Sequence, residues 1–192
     1  MIKCENLSNT DLDRIGKYIA EAFTAEKGVF AGLSLDDAQK MFKVIVKTCY
    51  KSGNLYKTSE KEEGFCVYWT KAQRPSAWTQ LKMSIEMLFN VPMSAVKTMI
   101  NGQKGWTPTE KRYAKADDFV EVFLIIVRPE YQGRGHFKAM LKEPFDLAEK
   151  RKTICVLDTD SEVKAQKYSH EGMHIVDRKL LDCKSEMFAM EK

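Results

Sequence analysis

The sequence predicts a mixed α/β (α+β) fold: about seven strands in one mixed sheet, helices on its faces, and a helical insertion before the central strand. Three observations carry this reading. Residues 119–127, FVEVFLIIV, are almost wholly apolar and β-branched or aromatic, as in a strand buried on both faces. A turn, a helical pattern to about Arg151 and a second apolar run, TICVL, follow, which makes a strand, helix, strand unit that crosses over right-handed. Upstream, residues 54–58 and 64–69 are short β segments joined by the charged turn SEKEE, an antiparallel hairpin.

In chain order, residues 2–6 read as a short strand. Ser8 or Asn9 caps a helix over about residues 11–23, where Leu12, Ile15, Ile19 and Phe23 recur at helical spacing. A loop over residues 28–32 comes next. Ser34 caps a second helix with Asp36 and Asp37 in its first turn, running through Met41, Phe42, Ile45 and Val46 to about Lys51 and stopped by Gly53. The hairpin leads into the insertion, residues 70–117. Trp78, Leu81, Ile85, Leu88 and Phe89 have helical spacing, Pro92 suits the first turn of a second helix to about Ile100, and Thr107-Pro108-Thr109-Glu110 has the form of a capping box with proline at N1. After the central unit, residues 153–157 form a strand, 158–161 open a helix with Gly172 at its C′ position, and residues 174–180 and 186–190 close the sheet.

At this length one domain, 1–192, is expected, with 70–117 as an insertion or lid. The longest apolar runs fall far short of a membrane span, and residues 1–6 are interrupted by Lys3, Glu5 and Asn6, unlike a signal peptide. Five cysteines without CxxC spacing fit reduced thiols, so a cytoplasmic location is expected. Three scattered histidines give no zinc pattern, and no metal is expected. The insertion carries eight basic and three acidic residues, whereas the chain as a whole is +4. That excess fits either attraction of a polyanionic or acidic ligand or a solvated helical face. No reader motif or basic-aromatic interleaving points to nucleic acid. Met83, Met87, Met93 and Met99 either line an adaptable pocket or pack within the insertion.

Residues 119–151 carry the chemistry. Glu121 is a carboxylate inside a buried run, where desolvation raises a pKa unless a charge partner compensates, so it is a candidate base. It could equally pair with a cation or sit at a solvated strand end. Pro129 ends the strand. Gln132-Gly133-Arg134-Gly135-His136-Phe137 then forms a glycine-bearing turn that opens a helix, and free N–H groups with the helix dipole make an anion site suited to a phosphate-bearing cofactor.

The stretch VRPEYQGRG, followed by AQKYSHEGM in the next helix, resembles the signature of the GNAT superfamily of acyl-CoA-dependent N-acetyltransferases, over about residues 119–173. The resemblance implies a GNAT-like mixed, mostly antiparallel sheet and acetyl-CoA (CoA) as cofactor. By the same resemblance, the backbone of Ile125, Ile126 and Val127 holds the pantetheine arm, and Gln132, Gly133, Arg134, Gly135, His136 and Phe137 hold the pyrophosphate. Phe137 stands where the family has a small residue and is expected to turn into the core. Ser161 stands where many members have asparagine, a position that contacts the cofactor. Glu121, eleven residues before Gln132, matches the general base of histone-type members. Tyr168, four before Gly172, matches the tyrosine that protonates the departing thiolate.

The function implied is acetyl transfer to a primary amine, a small-molecule or amino-acid-like acceptor, by direct attack in a ternary complex. A homodimer is one possible assembly. Alternatives are a protein or peptide N-acetyltransferase, or a non-catalytic acyl-CoA-binding or sensing module. A nucleotide dehydrogenase fits poorly, since the turn lacks the full G-x-G-x-x-G pattern. An acetyl-cysteine route through Cys66 or Cys155 is also less attractive, as both fall in predicted strands.

Overall fold

A computed structural model describes residues 1–25, 28–30 and 32–192. The expected 28–32 loop contains Ala31, which lies outside the described residues. Among the described residues, seven strands form one sheet in the order β1-β2-β3-β4-β5-β7-β6. Its one parallel pair is β4 (Val120–Val127) with β5 (Cys155–Thr159), and the other neighbours are antiparallel. The mixed, mostly antiparallel sheet is therefore as the sequence predicts.

Strand β1 (Ile2–Lys3) is shorter than expected, because Asn6 takes a left-handed conformation (φ 54°) and turns the chain away. Helix α1 (Asn9–Thr24) opens on a capping box: Ser8 Oγ accepts from the Asp11 N–H (3.2 Å), and an Asp11 carboxylate oxygen accepts from the Ser8 N–H (3.0 Å). Helix α2 (Leu35–Lys51) is capped by Ser34 and ends before Gly53 (φ 73°). Both lay Leu12, Ile15, Ile19, Met41, Phe42 and Val46 against one face of the sheet, onto Leu55, Phe65 and Val67 of β2 (Leu55–Lys57) and β3 (Gly64–Thr70). On the opposite face, α6 (His136–Arg151) and α7 (Glu162–His170) bury Met140, Leu141, Ala165 and Tyr168 against Cys66, Val120, Val122, Cys155 and Leu157. Beside α7, the exposed edge strand β6 (His174–Leu180) pairs with β7 (Glu186–Glu191).

Strand β4 changes faces midway. Val67 pairs with Leu124 but the next residue, Tyr68, pairs with Val122, so Phe123 has no partner and forms a β-bulge. A one-residue insertion inverts the inward and outward sets, which is why Val120 and Val122 enter the α6 side whereas Leu124 and Ile126 enter the α1/α2 side. Next to this bulge, β4 and β5 pair only at Val120–Cys155 and Glu121–Val156 and then part. From Val122 onward, the β4 edge that faces β5 has no strand beside it among the described residues.

The insertion folds as α3 (Ala77–Asn90), α4 (Met93–Gly102) and the short α5 (Thr109–Arg112). Helix α3 forms where the apolar spacing predicts it, and two details elsewhere in the insertion depart from expectation. The periodic stripe Trp78, Leu81, Ile85, Leu88 and Phe89 faces outward, with Phe89 85 % exposed, while Met83 and Met87 face the core. An ion pair from Lys47 on α2 to Glu86 joins the two helices on this side. Pro92 occupies the N-cap of α4 rather than its first turn, and the capping box at 107–110 does not form, because Pro108 is the N-cap and the Thr109 hydroxyl donates to Asp158 (3.1 Å). At the other end of the chain, the TICVL strand is shifted to Cys155–Thr159, since Lys152 is left-handed (φ 54°) and the Thr153 hydroxyl donates to the Asp118 carbonyl (2.7 Å).

Candidate acyl-transfer cleft

The parting of β4 from β5 opens a cavity of about 750 Å³, floored by residues 122–127. At one end lies the Gln132–Gly135 turn. Gly133 (φ 74°) and Gly135 (φ 81°) hold left-handed conformations that favour glycine, and no atom lies within 4 Å of where either Cβ would be. Gly135 is the N-cap of α6 and gives no side-chain cap, so the N–H groups of His136, Phe137 and Lys138 stay without an intrahelical acceptor. The Gln132 side chain donates to the Val127 carbonyl (3.2 Å) and ties the turn to the strand end. Lys138 and Lys167 also line this end. Donors, helix dipole and cations thus converge on one open concavity, which suits a pyrophosphate.

Further in, Glu121 is 6 % exposed. Its Oε2 accepts from the Trp69 indole N–H (2.7 Å), and Arg74 Nε stands 3.6 Å from the same oxygen. Burial raises its pKa, opposed by Arg74 and by the Trp69 hydrogen bond. A carboxylate so placed takes up a proton more readily than one in water. Tyr168, on α7, is buried with its ring 5.1 Å from that of Phe137, and burial raises its pKa, which keeps the phenol a proton donor. Among the described residues its hydroxyl has no hydrogen-bond partner.

Of the positions singled out from sequence, Glu121, Ile125, Ile126, Val127, Gln132, Gly133, Gly135, His136, Phe137 and Tyr168 all line this cavity. Arg134 and Ser161 do not. Arg134 turns back over the Tyr131 ring (5.6 Å), and Ser161 is the N-cap of α7, its Oγ accepting from the Lys164 N–H (3.2 Å). Phe137 divides its surface between the core beneath α6 and the cavity wall.

Sequence reasoning missed two carboxylates and one ring. Asp158 accepts from Trp106 Nε1 (3.0 Å), Thr109 Oγ1 (3.1 Å) and Arg112 Nη1 (2.9 Å), and burial raises its pKa against those bonds. Asp160 accepts from the Val29 N–H (3.1 Å) and from Lys164 Nζ (2.8 Å). Asp158 near the end of β5 and Asp160 just past it stand two residues apart, and that spacing is the signal that marks them, but after an apolar run it reads as a helix start. Phe123, on the bulge, stacks on Trp69 at 4.8 Å beside Glu121. No pattern in the sequence announces that bulge.

No protein-family model matches the sequence, and no curated protein matches it significantly. Solved structures do match. An N-acetyltransferase from Staphylococcus aureus Mu50 is 15 % identical with a TM-score of 0.61 over 96 % of this chain and 97 % of that one. An arylalkylamine N-acetyltransferase 2 from Aedes aegypti is 12 % identical with a TM-score of 0.60 over 98 % and 96 %. A structure described as histone acetyltransferase HPA2 and related acetyltransferase, from Corynebacterium glutamicum, is 15 % identical with a TM-score of 0.59 over 100 % and 93 %. The chain, with its seven-stranded mixed sheet flanked by helices, thus has the overall fold of these acetyltransferases.

Proposed function

We propose that the protein is an N-acetyltransferase that moves an acetyl group from acetyl-CoA to the primary amine of a small molecule by direct attack within a ternary complex. The observation that carries this reading is the joining, in one cavity, of an open anion turn, an unpaired strand edge and a buried carboxylate with a raised pKa. When bound, acetyl-CoA supplies the thioester. The N–H groups of residues 136–138 hold its pyrophosphate, and the free edge of β4 at Ile125–Val127 aligns the pantetheine arm and polarises the thioester carbonyl. Glu121 takes the proton that an ammonium must lose before its nitrogen can attack. The amine nitrogen would bond to the acetyl carbon as the carbon–sulfur bond breaks; the Tyr168 phenol would give its proton to the departing sulfur and recover one from the nitrogen, which sheds it in becoming an amide. Arylalkylamine acetyl transfer in the Aedes neighbour supports a small-amine acceptor.

Replacing Glu121 with Gln keeps an acceptor for Trp69 and removes the base. Its kcat should fall by about 100-fold or more at neutral pH. Tyr168→Phe should show a smaller loss, about tenfold, because a thiolate leaves without full protonation. Thiol release matched by acetylated product measures both, and calorimetry should find acetyl-CoA affinity unchanged. Unchanged turnover in both variants removes these roles. Tight binding of CoA with no turnover on a broad amine panel replaces the enzyme with an acyl-CoA-binding module.

A further inference from the structure

The half of the cavity away from the glycine turn is built differently from the half beside it. Its wall is Phe23 from α1, Phe30, Phe42 from α2, Met83 and Met87 from α3, and Met99 from α4. The three phenylalanine rings pack on one another, with centroids 5.1 to 5.6 Å apart, and form a fixed aromatic side. The methionines face them as an adaptable side, since an unbranched thioether repacks around irregular shapes.

The carboxylates that line the cavity are already balanced. Four carboxylates line the whole cavity: Glu121, Asp158, Asp160 and Glu171. Asp158 is hydrogen-bonded to Arg112, Asp160 to Lys164, and Glu171 lies 3.9 Å from Lys138 at the phosphate end. Glu121 accepts from Trp69 and stands 3.6 Å from Arg74, which is also hydrogen-bonded to Glu110. Every carboxylate of the cavity lining thus has a partner among the described residues, and the chamber offers an apolar wall to the body of a bound amine.

Resting on the acetyltransferase reading, we propose that the acceptor is a monoamine with an apolar alkyl or aryl body, and that the Phe23, Phe30, Phe42, Met83, Met87 and Met99 chamber selects it against polyamines, amino sugars and other multiply charged amines. The physical reason is desolvation. A second ammonium carried into the chamber loses its water and meets no unpaired carboxylate among the described residues, a cost far larger than the gain from burying a methylene. An apolar body gains from the same burial.

The test compares hexylamine with the diamine of the same chain length, each with acetyl-CoA, by thiol release and product mass. Wild-type kcat/KM should favour hexylamine by at least ~10-fold. Met83→Glu places a carboxylate in the chamber wall and should narrow that ratio, while its melting temperature shows that the variant is folded. Equal or better turnover of the diamine by the wild type overturns the proposal and leaves the acetyltransferase reading standing. No thiol release with any amine overturns both.

Discussion

Glu121 links pH to stability as well as to catalysis. Burial raises its native pKa above the ordinary 4.5, so the folded state holds this proton more tightly than the unfolded chain does. Its contribution to stability is complete below the unfolded value and is lost as pH rises through the raised native value. Glu121→Gln stays neutral at every pH. The melting temperature of the variant should therefore match the wild type below about pH 4, exceed it as pH rises above the unfolded value, and hold a constant excess once the raised native value is passed. Parallel thermal melts across that range measure the difference, and a constant difference would mean that the carboxyl titrates normally. The cysteines give a second test at this scale. Cys4, Cys49, Cys66 and Cys155 are buried, with the Cys155 thiol pushed up to about 12, whereas Cys183 is exposed. An aromatic disulfide reagent should titrate one thiol rapidly in the native protein and five in denaturant. Rapid reaction of Cys66 or Cys155 would reopen a covalent route. Glu121 was legible in the sequence because a charge inside an apolar run is itself a signal. Asp158 was not, because its meaning depends on Trp106, Thr109 and Arg112, about fifty residues earlier and brought together only by the fold.

Among the elements, the turn at the head of α6 was the most legible, since two glycines between a strand and a helix have a local backbone cause. Gly135 needs its left-handed φ of 81° although the space around it is open, so Gly135→Ala tests conformation without a clash. Strain of about 1–2 kcal/mol is expected, which lowers the melting temperature by roughly 2–8 °C. Acetyl-CoA affinity should fall as well, because the N–H groups of residues 136–138 lose their shared aim. An unchanged affinity, measured by calorimetry, would place the pyrophosphate elsewhere. Helix α3 shows where periodicity misleads. Its sequence contains two apolar faces, and the stronger one points to solvent while Met83 and Met87 face inward. Hydrophobic spacing identifies a helix but does not say which face the rest of the chain will cover. The packing of Met83 and Met87 on the core beside α2 goes with that orientation, and contacts made across about forty residues leave no local trace.

For the whole molecule, the order of strands and helices was readable because turns, caps and apolar runs are local. The sheet order was not. Strand β7 lies between β5 and β6, and β4 carries a bulge opposite the step from Val67 to Tyr68, and both follow from pairing across distant chain segments. The join between β4 and β5 has a consequence for local unfolding. Only Val120–Cys155 and Glu121–Val156 stitch the sheet at that line. On one side, β2, β3 and β4 lie beneath the core of α1 and α2; on the other, β5 and β7 are flanked by α7 and the solvent-exposed β6. Such a seam divides a protein into cooperative units of unequal stability. Amides of β5 and β7 should lose hydrogen-exchange protection together, at lower denaturant than those of β3 and β4, as followed by mass spectrometry of native-state exchange. A single concerted loss across all four strands would show that the two stitches, with α6 laid over them, are enough to make the sheet open as one piece.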